Sequence, residues 1–183
     1  MKFKILFFSL LLSFNAQAAS ELIEKKQALS VVKNYANSIA CNTSFQKDEN
    51  GKILASTDDV YIIENGVKDY RTNELYVLWW GDQGCAGGSG TYSANLTAVL
   101  KSREDSPYIV SQDFPFGNEV DEHINYRFII DFKQLSNNLF EITSGKYAND
   151  DSNAGPSLQD KILIKRKNNE WKVISSKVSK MKY

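Results

Sequence analysis

Hydrophobic and polar positions follow a helical period in the first part of the chain. The apolar positions recur at intervals of three, four or seven residues, namely Leu22, Leu29, Val32, Ala36 and Ile39. Charged residues fall mostly between them, which is typical of a helix with one buried face. The pattern predicts an amphipathic helix that begins at Glu21 after a capping Ser20, ends near Ser38 and brings Cys41 to its end.

The pattern changes to a period of two further along the chain. Alternation is strongest in 91–100 and 124–132, which is the signature of half-buried strands. Shorter segments rich in β-branched and aromatic residues, bounded by turn formers, predict further strands. The full set of predicted strands is 59–63, 75–80, 91–100, 108–111, 124–132, 139–146, 161–166 and 170–176.

One helix followed by short strands predicts a single α+β domain over residues 19–183. We expect the helix to pack on one face of a curved antiparallel sheet, with a cystatin-like or NTF2-like shape. The alternative is a β-sandwich with a peripheral helix.

The first eighteen residues have the features of a secretory signal. Lys2 and Lys4 precede the apolar run Ile5–Leu12, and Ala16-Gln17-Ala18 has the small-x-small pattern that precedes cleavage. We therefore expect cleavage near Ala18 and a location in the periplasm or outside the cell. No later segment is apolar enough to span a bilayer, so we expect no stable membrane anchor.

Charge argues against partners that are themselves strongly charged. The chain has 22 basic and 22 acidic residues, and both signs are interspersed along it. A protein without a basic excess has no electrostatic attraction to nucleic acid or to an anionic membrane surface. We expect neither as a partner.

The two cysteines, Cys41 and Cys85, allow one intramolecular pairing. An exported chain meets an oxidising compartment, where paired cysteines persist. We predict a disulfide, because the sequence around Cys85 contains no basic residue or histidine that would favour a reactive thiolate.

The segment GDQGCAGGSGTY, residues 81–92, contains five of the ten glycines. It does not form a nucleophile elbow, because Thr91 stands where the motif needs glycine and a strand follows. The missing helix also argues against a dinucleotide fingerprint. We interpret it as a disulfide-anchored turn, or as a binding loop in which backbone N–H groups converge on a partner's oxygen. The candidate residues are Gly84, Gly87, Gly88, Ser89 and Gly90.

Aromatic residues flank this segment. Trp79 and Trp80 are neighbours on a predicted strand, so they face opposite sides of the sheet. At most one can lie in the core beneath the helix, and the other is a candidate anchor for a partner if its face is open. Trp79, Trp80 and Tyr92 are therefore candidate binding residues.

Residues for common catalytic and metal chemistry are sparse. His123 is the only histidine and lies in an acidic segment, so we predict no catalytic triad, no zinc site and no cofactor. Asn149, Asp151, Asn153 and Asp160 resemble a calcium loop, but Ala154 occupies the position that requires glycine. Carboxylate neighbours such as Asp121 and Glu122 point in different directions, although folding could still bring two distant carboxylates together.

The stretches SGKYANDDSNAGPS and ILIKRKNNEWKVISS resemble a group of small exported bacterial proteins of unassigned function. In that group a strand leads into an Asp-containing loop that ends in Pro-Ser, and a final hairpin carries Trp. The resemblance covers about the last third of the chain and the glycine segment. It implies export and carries no functional residue with it.

Together these observations predict a periplasmic, non-enzymatic binding protein. The expected partner is a protein of the cell envelope, with the chain acting as an inhibitor or immunity-type partner of a secreted or cell-wall-acting enzyme. The alternatives are an envelope enzyme that uses carboxylates in a sheet pocket and a structural subunit of an envelope assembly.

Overall fold

The predicted α+β class, with a helix packed on an antiparallel sheet, is confirmed. A computed structural model describes residues 3–63, 74–88, 90–103, 105–111, 114–153 and 155–181, with side chains from residue 18 onward. It contains one long helix and two antiparallel sheets, which do not close into a barrel. The strands thus form two sheets, where the sequence predicts one curved sheet as the leading arrangement.

The elements follow one another in the order α1 Phe3–Ile39, β1 Ala40–Cys41, β2 Val60–Ile63, β3 Glu74–Gln83, β4 Tyr92–Leu100, β5 Ile109–Val110, α2 Asn118–Asp121, β6 Ile129–Ser136, β7 Leu139–Lys146, β8 Leu158–Lys167 and β9 Glu170–Lys180. Two short 3-10 turns, Thr57–Asp59 and Tyr126–Phe128, precede β2 and β6.

The first sheet is built around β3. One edge of β3 pairs with β4 over almost its whole length, from Leu75 opposite Val99 to Asp82 opposite Tyr92. The other edge pairs with β2 near its start and with β1 near its end. The second sheet is simpler, because β6, β7, β8 and β9 lie side by side in chain order.

Two hydrophobic clusters divide the molecule into three layers. In the first, small residues of α1, including Ala28, Val32 and Ala36, pack on Val77 and Trp79 of the first sheet. In the second, residues on the opposite face of the same sheet pack against the second sheet. Its buried residues include Tyr76, Leu78, Phe116, Phe140, Ile142, Ile162 and Trp171. The first sheet is therefore covered on both faces.

The start of the helix differs from the prediction. The sequence predicts that Ser20 caps a helix from Glu21, but α1 begins at Phe3 and runs through Ser20 without interruption. Residues 3–20 contain no glycine or proline that would break a helix. Leu22, assigned to the buried stripe from its spacing, is 44% exposed, because the packed part of α1 begins at Ala28.

The predicted strand at 124–132 is wrong over its first half. A short helix, α2, and the 3-10 turn Tyr126–Phe128 precede β6, which begins only at Ile129. Val120 and Ile124 are both buried in the second cluster, so this irregular segment is anchored by its apolar residues. The apolar residues alternate here because single side chains of an irregular segment are buried in the second cluster. The segment is not an extended strand.

Within the described part of the chain, we find no helical stretch with the length and hydrophobicity that crossing a membrane would require.

Candidate functional site

The predicted disulfide between Cys41 and Cys85 is confirmed, with a Cα–Cα distance of 5.1 Å. It joins β1 to the turn that follows β3. A hydrogen bond from Gly84 N–H to the carbonyl of Ile39, at 2.8 Å, fastens the same turn to the end of α1. The turn is therefore attached to the helix end both covalently and through its backbone.

Backbone conformation explains the glycines of this turn. Gly84, Gly87, Gly88 and Gly90 have φ angles between +66° and +118°, which side chains with a β-carbon rarely adopt. Cys85 also has a positive φ of 53°. The interpretation of this segment as a disulfide-anchored turn agrees with this geometry. Ser89, the other candidate in the turn, lies outside the described residues.

Asp82, at the base of the turn, was not singled out by the sequence. It is 5% exposed, and its Oδ2 accepts a hydrogen bond from Gly87 N–H at 2.9 Å. Its Oδ1 is buried without a partner. The available signal was an Asp directly before a glycine-rich turn, because an Asp side chain can accept hydrogen bonds from nearby backbone N–H groups.

Arg127 closes the other side of the turn. Its guanidinium lies against Gly90, where an added β-carbon would be 2.2 Å from Nη2. The same guanidinium lies 5.0 Å from the ring centroid of Phe128. The 3-10 turn before β6 is thus in contact with the glycine turn, a contact between residues far apart in sequence.

The two tryptophans face opposite sides of the first sheet, as predicted. Trp79 is fully buried beneath α1, and its indole N–H donates to Thr97 Oγ1 at 2.9 Å. It has no exposed surface that a partner could contact. Trp80 is half-buried and packs against the cluster between the sheets, so the second sheet covers much of its face of the first sheet.

Tyr92 is the most exposed of the three candidate aromatics, at 41%. It lies directly opposite Asp82 on the neighbouring strand, so the two share a face with Trp80. Partial burial raises the pKa of its phenol above the ordinary value of a tyrosine. The structure therefore brings Trp80, Asp82 and Tyr92 together and separates them from Trp79.

A cleft of about 320 Å³ runs beside β4, next to the glycine turn. We call it the edge cleft. Its lining includes Tyr35 of α1 and Asn95 of β4 on one side, and Asp121 and Tyr126 on the other. Phe114, which is 68% exposed, lies at the cleft as well. Because its walls come from both faces of the first sheet, the cleft crosses the sheet's edge.

The cleft can form beside this edge of β4 because β5 is short. β5 pairs with β4 only through Val99 and Leu100, and Ser111 N–H adds one bond to the carbonyl of Ala98 at 2.9 Å. Among the described residues, no strand pairs with this edge of β4 from Tyr92 to Thr97.

Asp121 and Tyr126 form a hydrogen-bonded pair in the lining of the edge cleft. The phenol of Tyr126 donates to Asp121 Oδ1 at 2.6 Å, while Asp121 Oδ2 is buried without a partner. Burial raises the pKa of Asp121, and the hydrogen bond from Tyr126 offsets part of that rise. Burial also raises the pKa of Tyr126. Asp121 is the one carboxylate among the described lining residues.

The residues that resemble a calcium loop have other partners. Asp151 Oδ2 accepts the backbone N–H groups of Ala148 and Ser157, both at 2.7 Å, and these bonds lower the pKa of Asp151. Asp160 is 3% exposed and lies 3.4 Å from Lys146 Nζ. Ala154 lies outside the described residues. Within the described ranges, no three His, Cys, Asp or Glu side chains are grouped as metal ligands would be.

No protein-family model, curated protein or solved structure matches this chain.

Proposed function

We propose that this protein is exported and binds a protein partner in the cell envelope, without catalysing a reaction of its own. In this role it would act as an inhibitor or immunity-type partner of a secreted or cell-wall-acting enzyme. The observation that carries the proposal is the edge cleft beside a turn that a disulfide holds in place.

Export is supported by two independent features. The first is the basic and apolar start of the chain with Ala16-Gln17-Ala18 at its end. The second is the disulfide, which is compatible with an oxidising location. In the described part of α1, residues 18–23 are exposed and the first buried residue is Ala28.

Binding is supported by the rigidity of the site. Association costs free energy for every loop that becomes ordered, so a turn that is already fixed retains more of its contact energy. The glycine turn is fixed by the disulfide and by the Gly84–Ile39 hydrogen bond. The exposed Tyr92 and Phe114 add aromatic area near the cleft, of the kind that dominates many protein interfaces.

The test is site-specific photo-crosslinking in the exporting cell. A photoreactive amino acid replaces Phe114 in one variant and Leu54 in another, since Leu54 is also an exposed hydrophobic residue, at 53%, but does not line the cleft. We expect one envelope protein to crosslink at position 114 and not at position 54, and the purified chain to inhibit that protein's activity. Absence of a product specific to position 114 would contradict the proposal.

A second candidate function is favoured by the Asp121–Tyr126 pair. A carboxyl group with a raised pKa in a cleft can act as a general acid. If the protein is an envelope enzyme, the purified wild type releases products from isolated cell-wall polymer and Asp121→Asn does not. Equal release by both proteins, or by neither, would remove this candidate.

A further inference from the structure

The central residues of β4 direct backbone groups into the edge cleft. Trp80 lies opposite Ala94, and its own N–H and C=O bond Ser44 on the far side of β3, at 3.1 Å and 2.8 Å. In an antiparallel ladder the facing residue of such a pair directs its N–H and C=O away as well. The bond from Ser111 to Ala98 shows the same alternation. Ala94 and Leu96 therefore direct their backbone groups away from β3.

These backbone groups have no backbone partner among the described residues. Ala94 is buried and Leu96 is half-buried, and both line the edge cleft, so their backbone groups face the cleft rather than open solvent. A buried peptide group without a hydrogen bond costs free energy, and folded proteins rarely leave one unsatisfied. The edge cleft has a volume of about 320 Å³, far more than a single water molecule needs. Its size suits a short piece of polypeptide.

A side-chain oxygen without a partner lies in the same lining. Asp121 Oδ2 is buried and accepts no hydrogen bond, although Oδ1 of the same carboxylate is bonded to Tyr126. The cleft therefore combines backbone donors and acceptors from one strand with a side-chain acceptor of negative charge. An extended peptide whose side chain donates a hydrogen bond complements all of these groups.

We propose that the edge cleft binds a short extended segment of the partner protein, whose backbone pairs with Ala94 and Leu96 and which directs a hydroxyl or ammonium group toward Asp121. This inference rests on the proposed function, since it names the part of the partner that is recognised. Phe114 borders the cleft and contacts the segment's apolar side chains.

The probe is a set of heptapeptides selected from a random phage-displayed library against the full chain. Binding is measured by fluorescence anisotropy, and amide resonances are followed by two-dimensional NMR. We expect the resonances of Ala94 and Leu96 to move most. Those of Asn95 and Thr97 should move least, because their N–H groups point toward β3.

Backbone pairing predicts a specific response to N-methylated peptides. Methylating a peptide nitrogen that pairs with β4 should weaken binding by about tenfold, whereas methylating its neighbour should have little effect. Asp121→Asn should weaken the peptides that contain Lys, Ser or Thr and spare those that lack a donor. Phe114→Ala should weaken all of them, and Leu54→Ala should weaken none.

Several results would overturn the inference. An equal loss of affinity on methylation of every peptide nitrogen would show that the peptide's backbone does not pair with β4. Movement of the Ala94 and Leu96 resonances with protein concentration alone would identify a second copy as the occupant. A partner that crosslinks at position 114 while neither resonance moves would refute this mode and leave the proposed function standing. If peptides show the expected signatures but no envelope protein crosslinks at position 114, the cleft's binding mode would stand and the proposed function would be refuted.

Discussion

The Tyr126 phenol donates a 2.6 Å hydrogen bond to Asp121, and the two residues come from separate helical turns that flank Ile124. Burial of Ile124 in the cluster between the sheets fixes this segment against the first sheet. The pair therefore depends on tertiary packing. It places a carboxylate, hydrogen-bonded to a phenol, on one side of the edge cleft.

This pair predicts a pH dependence of stability. The pKa of Asp121 is raised in the folded state. Its contribution to the free energy of unfolding is therefore complete below the unfolded-state pKa and is lost as pH rises through the folded-state pKa. Asp121→Asn removes this loss. Its free energy of unfolding relative to wild type should therefore increase between pH 4 and pH 7, measured by urea denaturation. Tyr126→Phe should show the opposite trend, because it removes the hydrogen bond that lowers the pKa of Asp121.

The disulfide predicts a large effect of reduction on stability. Cys41 and Cys85 are 44 residues apart, and the chain-entropy model gives about 4 kcal/mol for closing a loop of that length. Replacing both with Ala should lower the free energy of unfolding by up to that amount. Dithiothreitol should destabilise the wild type to a similar extent and leave the double variant unchanged. A wild-type unfolding midpoint that is insensitive to dithiothreitol would contradict the prediction.

Gly145 predicts a steric effect within β7. A β-carbon there would lie 2.3 Å from Cγ of Pro156 and 2.9 Å from Cβ of Phe128, neither of which is a flexible side-chain end. Gly145→Ala should therefore cost about 1–3 kcal/mol, the range typical of overpacking. Gly155→Ala is the matched control, because nothing lies within 4 Å of a β-carbon at that position. Equal unfolding midpoints for the two variants would argue against close packing at Gly145.

Export predicts a defined N-terminus. Mass spectrometry of the exported protein should find Ala19 as the first residue, and replacing Ala18 with a bulky residue should leave the precursor unprocessed. The chain 19–183 should have the free energy of unfolding of the full chain to within about 0.5 kcal/mol, since residues 18–23 are exposed. A mature protein that retains residues 1–18 would refute the signal-peptide hypothesis.

Local patterns predicted the features that depend on a few neighbouring residues. The strand from Tyr92 to Leu100 was recognised from its period-two alternation, and the strand from Leu139 to Lys146 from its position after a short turn that joins it to the preceding strand. The opposite directions of Trp79 and Trp80 follow from the same geometry. The disulfide followed from there being two cysteines and a chain with the features of export.

Long-range packing determined the rest. No local pattern shows that the strands divide into two sheets, that Arg127 reaches Gly90, or that β5 leaves the edge of β4 unpaired before Ala98. The sequence by itself determined the α+β class, the anchored glycine turn and most strands, because backbone preference and side-chain period act within a few residues. Only the tertiary structure decided where the edge cleft lies and that Asp121 lines it, because those contacts form between segments that meet only when the sheets pack.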